Sequence, residues 1–306
     1  MTVTPEEASR LLRRATLASV CVALILITAK ALVWWLSGSV ALLASLMDSL
    51  MDGAASLVTL LAVRYSLQPA DAEHRFGHGK AEALAGLGQA AFISLSAVLL
   101  VVEGTRKLLH PQPVEATGLA IGAMLLSIAL TIALVGYQRH VVRRTGSTAV
   151  AGDALHYASD LAMNVAIIVA IIAAGFGYLR VDALVALVIG LYIFISAMRI
   201  GFAAVQLLLD RELDDAQRTR ISALVASHPD VLGFHDLRTR QSGRTQFIQV
   251  HVELDKDLSL EAAHAIIADV GRSLREAMPT AEVIIHPDPV PLSKVVPVGS
   301  GRTSEV

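Results

Sequence analysis

Long apolar runs broken by short polar stretches fill the first two thirds of the chain. Six of them, near residues 15–36, 40–63, 82–103, 117–137, 151–174 and 182–206, reach the ~20 mostly apolar residues that a helix needs to cross a bilayer. The pattern changes near Asp210. Leu213 to Ser227 has helical spacing and stops before Pro229. Phe234 to Arg240 and Thr245 to Leu254 read as strands joined by the turn Gln241 to Arg244. Phe247 to Val252 has the β-branched enrichment and partial alternation of a half-buried strand. Ser259 is placed to N-cap a further helix, with Ala262 at N3 and a run to Met278. Glu282 to His286 reads as a last strand. The order α-β-β-α-β predicts a compact α+β sandwich of one sheet and two helices. Pro287, Pro289, Pro291 and Pro297 follow, then Gly and Ser, so 291–306 reads as a disordered tail. The predicted fold class is an α-helical membrane protein of six transmembrane helices (1–210) with a C-terminal α+β domain (211–290).

Composition sharpens that picture. The 306 residues are 54% hydrophobic and 17% charged, whereas an ordinary soluble domain is about a quarter charged. A net charge of -2 gives no basic field for a nucleic-acid partner. The single cysteine, Cys21, lies inside an apolar run, which excludes an intramolecular disulfide and argues against a thiolate metal cluster. Arg10, Arg13 and Arg14 precede the first run as in a signal peptide. The run is too long for an h-region and no small-residue cleavage site follows, so it is expected to remain as an uncleaved helix. Arg64, Arg75, Lys80, Arg139, Arg143, Arg144 and Arg211 fall on the same side as the N-terminal arginines. Arg106, Lys107 and Arg180 fall on the other. That asymmetry predicts both termini in the cytoplasm, with the short connections Ser37 to Ser39 and Gly175 to Arg180 outside.

Candidate chemistry sits where charge is most expensive. Asp48 and Asp52 lie four apart inside the second run and share one helical face, which Ser45, Ser49 and Ser56 extend. His156 and Asp160 are four apart in the fifth, with Asn164 one turn on. An ionised group at the centre of a membrane helix costs ~2.5–3.5 kcal/mol on insertion scales, so two such pairs favour one another, a cation or water. One lone Asp would more often line a wet helix interface. Three carboxylates and an imidazole in matched pairs instead form an N/O set suited to zinc and similar divalent ions. An intramembrane metalloprotease would share such ligands, but the chain has no H-E-x-x-H motif. A channel or a metal sensor is separated from an ion-coupled transporter only by a flux measurement. Lys30, inside the first run, has no legible partner, and snorkelling would explain it. Ala83, Ala85, Gly86, Gly88, Ala90 and Ala91 would let the third helix pack closely.

Ser45-Leu46-Met47-Asp48-Ser49-Leu50-Met51-Asp52 and His156-Tyr157-Ala158-Ser159-Asp160 resemble the paired metal motifs of the cation diffusion facilitator family. The resemblance extends through Gln68-Pro69-Ala70-Asp71, His74-Arg75-Phe76-Gly77-His78-Gly79-Lys80, His235-Asp236-Leu237-Arg238-Thr239-Arg240 and Ile284-Ile285-His286, and covers nearly all of the chain up to Pro289. It implies a homodimer in the bacterial inner membrane with a metallochaperone-like cytoplasmic domain, exchanging cytoplasmic metal for protons by alternating access. Asp48, Asp52, His156 and Asp160 match the family's transport site. Asp71, His74 and His78 match its loop metal site, although histidines in a polar loop would otherwise be ordinary. His235, His251, His264, His286 and Asp288 match its binuclear cytoplasmic site. Pro287 stands where a family member has a glutamine and offers only its carbonyl, which leaves one or two ions open there. Lys80 and Asp210 resemble the charged pair that interlocks the third and sixth helices at the dimer centre. The implied metal is Zn2+, both carried and bound in the cytoplasmic domain, with Cd2+ and Fe2+ as alternative cargo. His110, His140 and His228 match no motif.

Overall fold

A computed structural model of the chain describes residues 4–37, 40–109, 118–175 and 181–290. The predicted tail over 291–306, His110, and the connections at 38–39 and 176–180 lie outside the described residues. The chain divides into two compact units between Gln206 and Leu207.

The first unit is all helix: α1 (Pro5–Ser37), α2 (Val40–Ser66), α3 (Lys80–Leu109), α4 (Gly118–Thr145), α5 (Thr148–Gly175) and α6 (Val181–Leu208). At ~1.5 Å per residue a helix of 28 residues is about 42 Å long, more than the ~30 Å of a bilayer's hydrocarbon. Five of them carry an 18-residue stretch apolar enough to cross a membrane. The sixth, α5, is as long and carries Asp153, His156, Asp160 and Asn164. Burial differs from that of a soluble bundle at many positions. Leu24, Trp35, Leu61, Leu95, Val188 and Phe202 are exposed, while Ser19, Ser56, Thr59, Gln138 and Asp153 are buried. A lipid-facing exterior, and an interior in which polar groups sit among apolar clusters, account for both.

The helices outrun the apolar patterns. Helix α1 starts ten residues before the expected Ala15, because Thr4, Pro5, Glu6 and Glu7 form a helix start: the Thr4 hydroxyl accepts from the Glu7 amide at 3.2 Å. Arg144, near the end of α4, reaches Glu7 at 3.1 Å. Helix α4 runs on to Thr145 and stops where Gly146 turns left-handed (φ 70°) and donates its N–H to the Val142 carbonyl. The Ser147 hydroxyl then accepts from the Val150 amide, which starts α5. The small residues of α3 serve the expected close approach in part. A Cβ on Gly86 would come within 3.1 Å of Thr148 backbone on α5, whereas one on Gly88 would meet open space.

The second unit is α7 (Asp215–Ala226), β1 (Gly233–Ser242), β2 (Thr245–Asp255), α8 (Leu260–Ala277) and β3 (Ala281–Val290). Asp214 caps α7 and Ser259 caps α8 through the Ala262 amide. The sheet order is β1-β2-β3, the first pair antiparallel and the second parallel. Ile248, Val250, Val252 and Leu254 point to one face, where Ile221 and Val225 of α7 and Ile266, Val270 and Leu274 of α8 close the core. Leu213 donates its N–H to the Thr239 hydroxyl, and the Glu212 carboxylate accepts from both the amide and the hydroxyl of Thr239.

Strand β3 departs from the sequence reading: it runs through Pro287 and Pro289 to Val290 instead of ending at His286. The carbonyls of Thr280 and Val290 face β2, accepting from Gln246 and Lys256. Odd-numbered residues between them therefore turn their backbone outward on this edge strand, and a proline there removes no ladder hydrogen bond.

Candidate metal centres

Within the first unit, α2 and α5 bring three groups together. His156 Nε2 lies 2.9 Å from Asp52 Oδ1 and 3.8 Å from Asp160 Oδ2. One ligand atom from each lies within 4.8 Å of the other two. A tetrahedral shell of radius about 2.0 Å places neighbouring ligand atoms about 3.3 Å apart, so the trio is close to a ligand set. The His156 side chain is 8% exposed, and Asp52 and Asp160 are half-buried. Asp48 lines the same cavity of about 620 Å³ one turn along α2 and is exposed to it, outside the trio itself. Asn164 also lines it and donates to the Ser127 hydroxyl at 3.4 Å.

The polar stripe on α2 has separate partners. The Lys30 ammonium donates to the Ser49 hydroxyl at 2.7 Å and to the Ser45 carbonyl at 3.2 Å. Lys30 therefore has a partner on the neighbouring helix, which sequence reasoning did not find. Ser56 donates to Asp153 Oδ1 and bonds the Tyr157 hydroxyl at 3.0 Å. Gln138 donates to Asp153 Oδ2 at 2.6 Å and to Ser19, and the Tyr157 hydroxyl shares its proton between Ser56 and the Ser19 carbonyl. Asp153 is fully buried at the centre of this network, which ties α1, α2, α4 and α5 one turn from His156. Sequence reasoning missed Asp153, although a carboxylate inside a membrane helix was the available signal.

The segment between α2 and α3 holds Asp71, His74 and His78, with ligand atoms again within 4.8 Å of one another. Asp71 Oδ1 accepts from the amides of Glu73 and His74 at 2.9 and 2.6 Å, a local turn that fixes its carboxylate. His74 Nδ1 and His78 Nε2 approach that carboxylate at 3.4 and 3.3 Å. The His74 amide, with the Glu73 amide and the two imidazoles adding, holds the Asp71 carboxyl below the usual carboxylate range against a smaller desolvation effect. His78 is buried against Tyr65, and its Nδ1 has no hydrogen-bond partner. An exposed carboxylate and two clustered imidazoles fit a divalent cation chemically.

In the second unit the β-register lines up three histidines. His235 pairs with His251 across β1 and β2, and His251 pairs with His286 across β2 and β3. Their ring centroids are 5.2 and 4.6 Å apart. A bulge after His235, where Asp236 takes φ 52°, sets this register. Asp288 is the hub: Oδ2 lies 2.9 Å from His251 Nδ1 and 3.2 Å from His235 Nε2, and Oδ1 lies 3.4 Å from His286 Nε2. Glu253, which sequence reasoning passed over, reaches His235 Nδ1 at 3.3 Å. The hydrogen bond from His251, opposed by desolvation and helped by the charges of His251, His286 and His235, holds the Asp288 carboxyl below its usual range. The part of these contacts that depends on the Asp288 charge is present above the ordinary carboxylate pKa and is lost as pH falls through the lowered value. The donor set of His235, His251 and Asp288, with His286 beside it, fits a zinc-like ion.

His264 does not join them within one chain. It stands exposed on α8, and α8 covers the opposite face of the sheet, against Val250, Val252 and Leu254. Pro287 pairs with Val252 in the parallel register, with only its carbonyl as a donor atom. Asp210 has φ 56° and meets Arg240 at 3.4 Å within its own unit, while Lys80 begins α3 in the other.

Comparison with known proteins covers both units. The family described as cation efflux transmembrane domain matches residues 16–209, and that described as cation efflux protein, cytoplasmic domain, matches 213–290. The chain is similar to the cation-efflux pump FieF of Klebsiella pneumoniae, at 51% identity over 94% of this chain and 95% of that protein. It is likewise similar to the cation-efflux pump FieF of Salmonella arizonae, at 51% identity over 92% of this chain and 93% of that one. A solved Zn-form structure of CzrB is 30% identical and covers 26% of this chain and 92% of its own, with a TM-score of 0.25.

Proposed function

The chain belongs to the cation diffusion facilitator family of cation efflux proteins, and from that premise we propose that it exports zinc-like divalent ions from the cytoplasm in exchange for protons. It is a multi-pass membrane transporter and not an enzyme. The observation that carries the proposal is the Asp52–His156–Asp160 cluster inside the membrane helices, with Asp48 on the wall of the same cavity. Carboxylate and imidazole ligands without thiolate suit Zn2+ and admit Cd2+ and Fe2+. Each ligand must be deprotonated to hold a metal, so cargo and protons compete for one set of atoms. Alternating access turns that competition into exchange: metal binds from the cytoplasm and displaces protons, leaves on the far side, and protons return.

The protein acts as a homodimer in the bacterial inner membrane with both termini in the cytoplasm, and Lys80 and Asp210 contribute to the dimer centre. Asp71, His74 and His78 hold a loop ion. His235, His251, His286 and Asp288 hold Zn2+ across the three strands, and there the ion supplies a crosslink rather than a pathway.

Transport in sealed vesicles tests the reading. The purified protein should accumulate Zn2+ against its gradient under an opposing pH gradient, and accumulation should collapse when that gradient is dissipated. Movement only down the metal gradient would make it a channel, and no movement would leave a sensor.

The second unit should respond to metal by linkage. An ion held at a hundred times its dissociation constant stabilises the folded state by about 2.7 kcal/mol. Replacing His235 and His251 together with alanine is expected to abolish the Zn2+-dependent rise in melting temperature of this unit while transport persists at reduced rate. Complete loss of transport with the dimer intact would assign these histidines to the pathway instead.

A further inference from the structure

Lys30 is a charged residue in the last third of α1, and its ammonium is held by the neighbouring helix. Its side chain turns across to α2, where the ammonium donates to Ser49 Oγ at 2.7 Å and to the Ser45 carbonyl at 3.2 Å. Ser49 sits between Asp48 and Asp52 in sequence, and Lys30 lines the same cavity as Asp48, Asp52 and Asp160. An ammonium has three N–H donors, and these contacts use two. We propose that Lys30 is the resident counter-cation of this cavity and limits how tightly the cavity holds a divalent ion. The inference rests on the reading that Asp48, Asp52, His156 and Asp160 bind the cargo.

Charge balance carries the step. Three carboxylates and a neutral imidazole exceed the charge of a divalent ion by one, and the ammonium of Lys30 supplies the difference. A cavity among membrane helices tolerates uncompensated charge poorly, so the loaded site is neutral only with Lys30 included. When the ion leaves, the ammonium remains beside the carboxylates on a flexible four-carbon stem. Its repulsion of a divalent ion also weakens binding, and a transported ion must be held loosely enough to leave.

Zn2+ titration of the full-length chain tests this, with His74, His78, His235 and His251 replaced by alanine so that the membrane cluster is read alone. Lys30→Gln keeps a donor for Ser45 and Ser49 and removes the charge. At an effective dielectric of ~20, loss of one positive charge near the ion is expected to tighten Zn2+ binding at least tenfold, with slower release in vesicles. Lys30→Arg keeps the charge and should stay within about threefold of the parent. Lys30→Met removes charge and donors together and should match Lys30→Gln. Unchanged affinity in Lys30→Gln, an Arg variant that behaves like Gln, or tightening by Met without Gln would each overturn the inference. Asp52→Ala separates the two readings. If it abolishes Zn2+ binding while Lys30→Gln has no effect, only the role of Lys30 falls. If Asp52→Ala leaves the titration intact, the cargo site itself is wrong.

Discussion

Replacing Asp52 or Asp160 with alanine is expected to reduce metal transport to background while the chain still inserts and assembles. His156 Nε2 faces both carboxylates, at 2.9 and 3.8 Å. On the proposed reading, each substitution removes one ligand and one of the negative charges that offset a divalent ion. Loss of a residue that merely orients a ligand costs about 10–100-fold in metal affinity, and loss of a ligand itself should exceed that. The structural cost is expected to be small by comparison, because Asp52 and Asp160 are half-buried on the cavity wall and the buried network around Asp153 stays intact. Uptake in vesicles, with insertion and dimer mass checked on the same preparation, decides the outcome. Normal uptake by either variant would remove this cluster from the ion pathway.

The separation of that cluster from the network around Asp153 marks where sequence reasoning ended. The six helices were legible because a membrane segment must be mostly apolar over about 20 residues, a signal that the polar groups of α5 weaken there. Their ends were not: Pro5 to Arg14 and Arg139 to Thr145 are helical but lie beyond the apolar runs, where hydropathy carries no signal. The i,i+4 pairs on α2 and α5 were legible from helical geometry alone. The partners of Lys30 were not, because they depend on how α1 and α2 align along their shared contact.

In the second unit, element types followed from alternation and capping, but convergence depended on register. The bulge after His235 brings it opposite His251, and the parallel register of β2 and β3 sets His286 beside His251. No single-strand pattern contains that information. The position of His264 was readable in principle. Ile266, Val270 and Leu274 define the buried face of α8, and a residue two before Ile266 falls about 200° around the helix, on the solvent side. The prolines of β3 misled for a local reason: they weigh against a central strand, whereas this edge strand turns their positions outward.

Metal affinity at the membrane cluster is expected to fall with pH, by about tenfold per pH unit for each proton that the ion displaces. On the proposed reading, the competition occurs at His156 Nε2. His156 Nε2 lies within hydrogen-bond distance of Asp52 Oδ1, so without a cation a proton between them bridges imidazole and carboxylate. A metal ion needs that nitrogen lone pair and that oxygen, and it cannot take them until the proton leaves. Asp160, at 3.8 Å, and Asp48, on the cavity wall, add carboxylates that must also be ionised to contribute ligands. The sign follows: binding is strongest above the apparent pKa values of the cluster and is lost as pH falls through them. Those values belong to the coupled group and not to one residue. The measurement is Zn2+ affinity against pH, with proton release on binding, on full-length protein whose loop and second-unit ligands are replaced by alanine. A slope near one or two in log affinity per pH unit, matched by the same number of protons released in weakly buffered solution, would establish the competition. Affinity independent of pH from mildly acidic to mildly alkaline conditions, with no proton released, would exclude exchange at this cluster, and the protons would have to cross elsewhere in the protein.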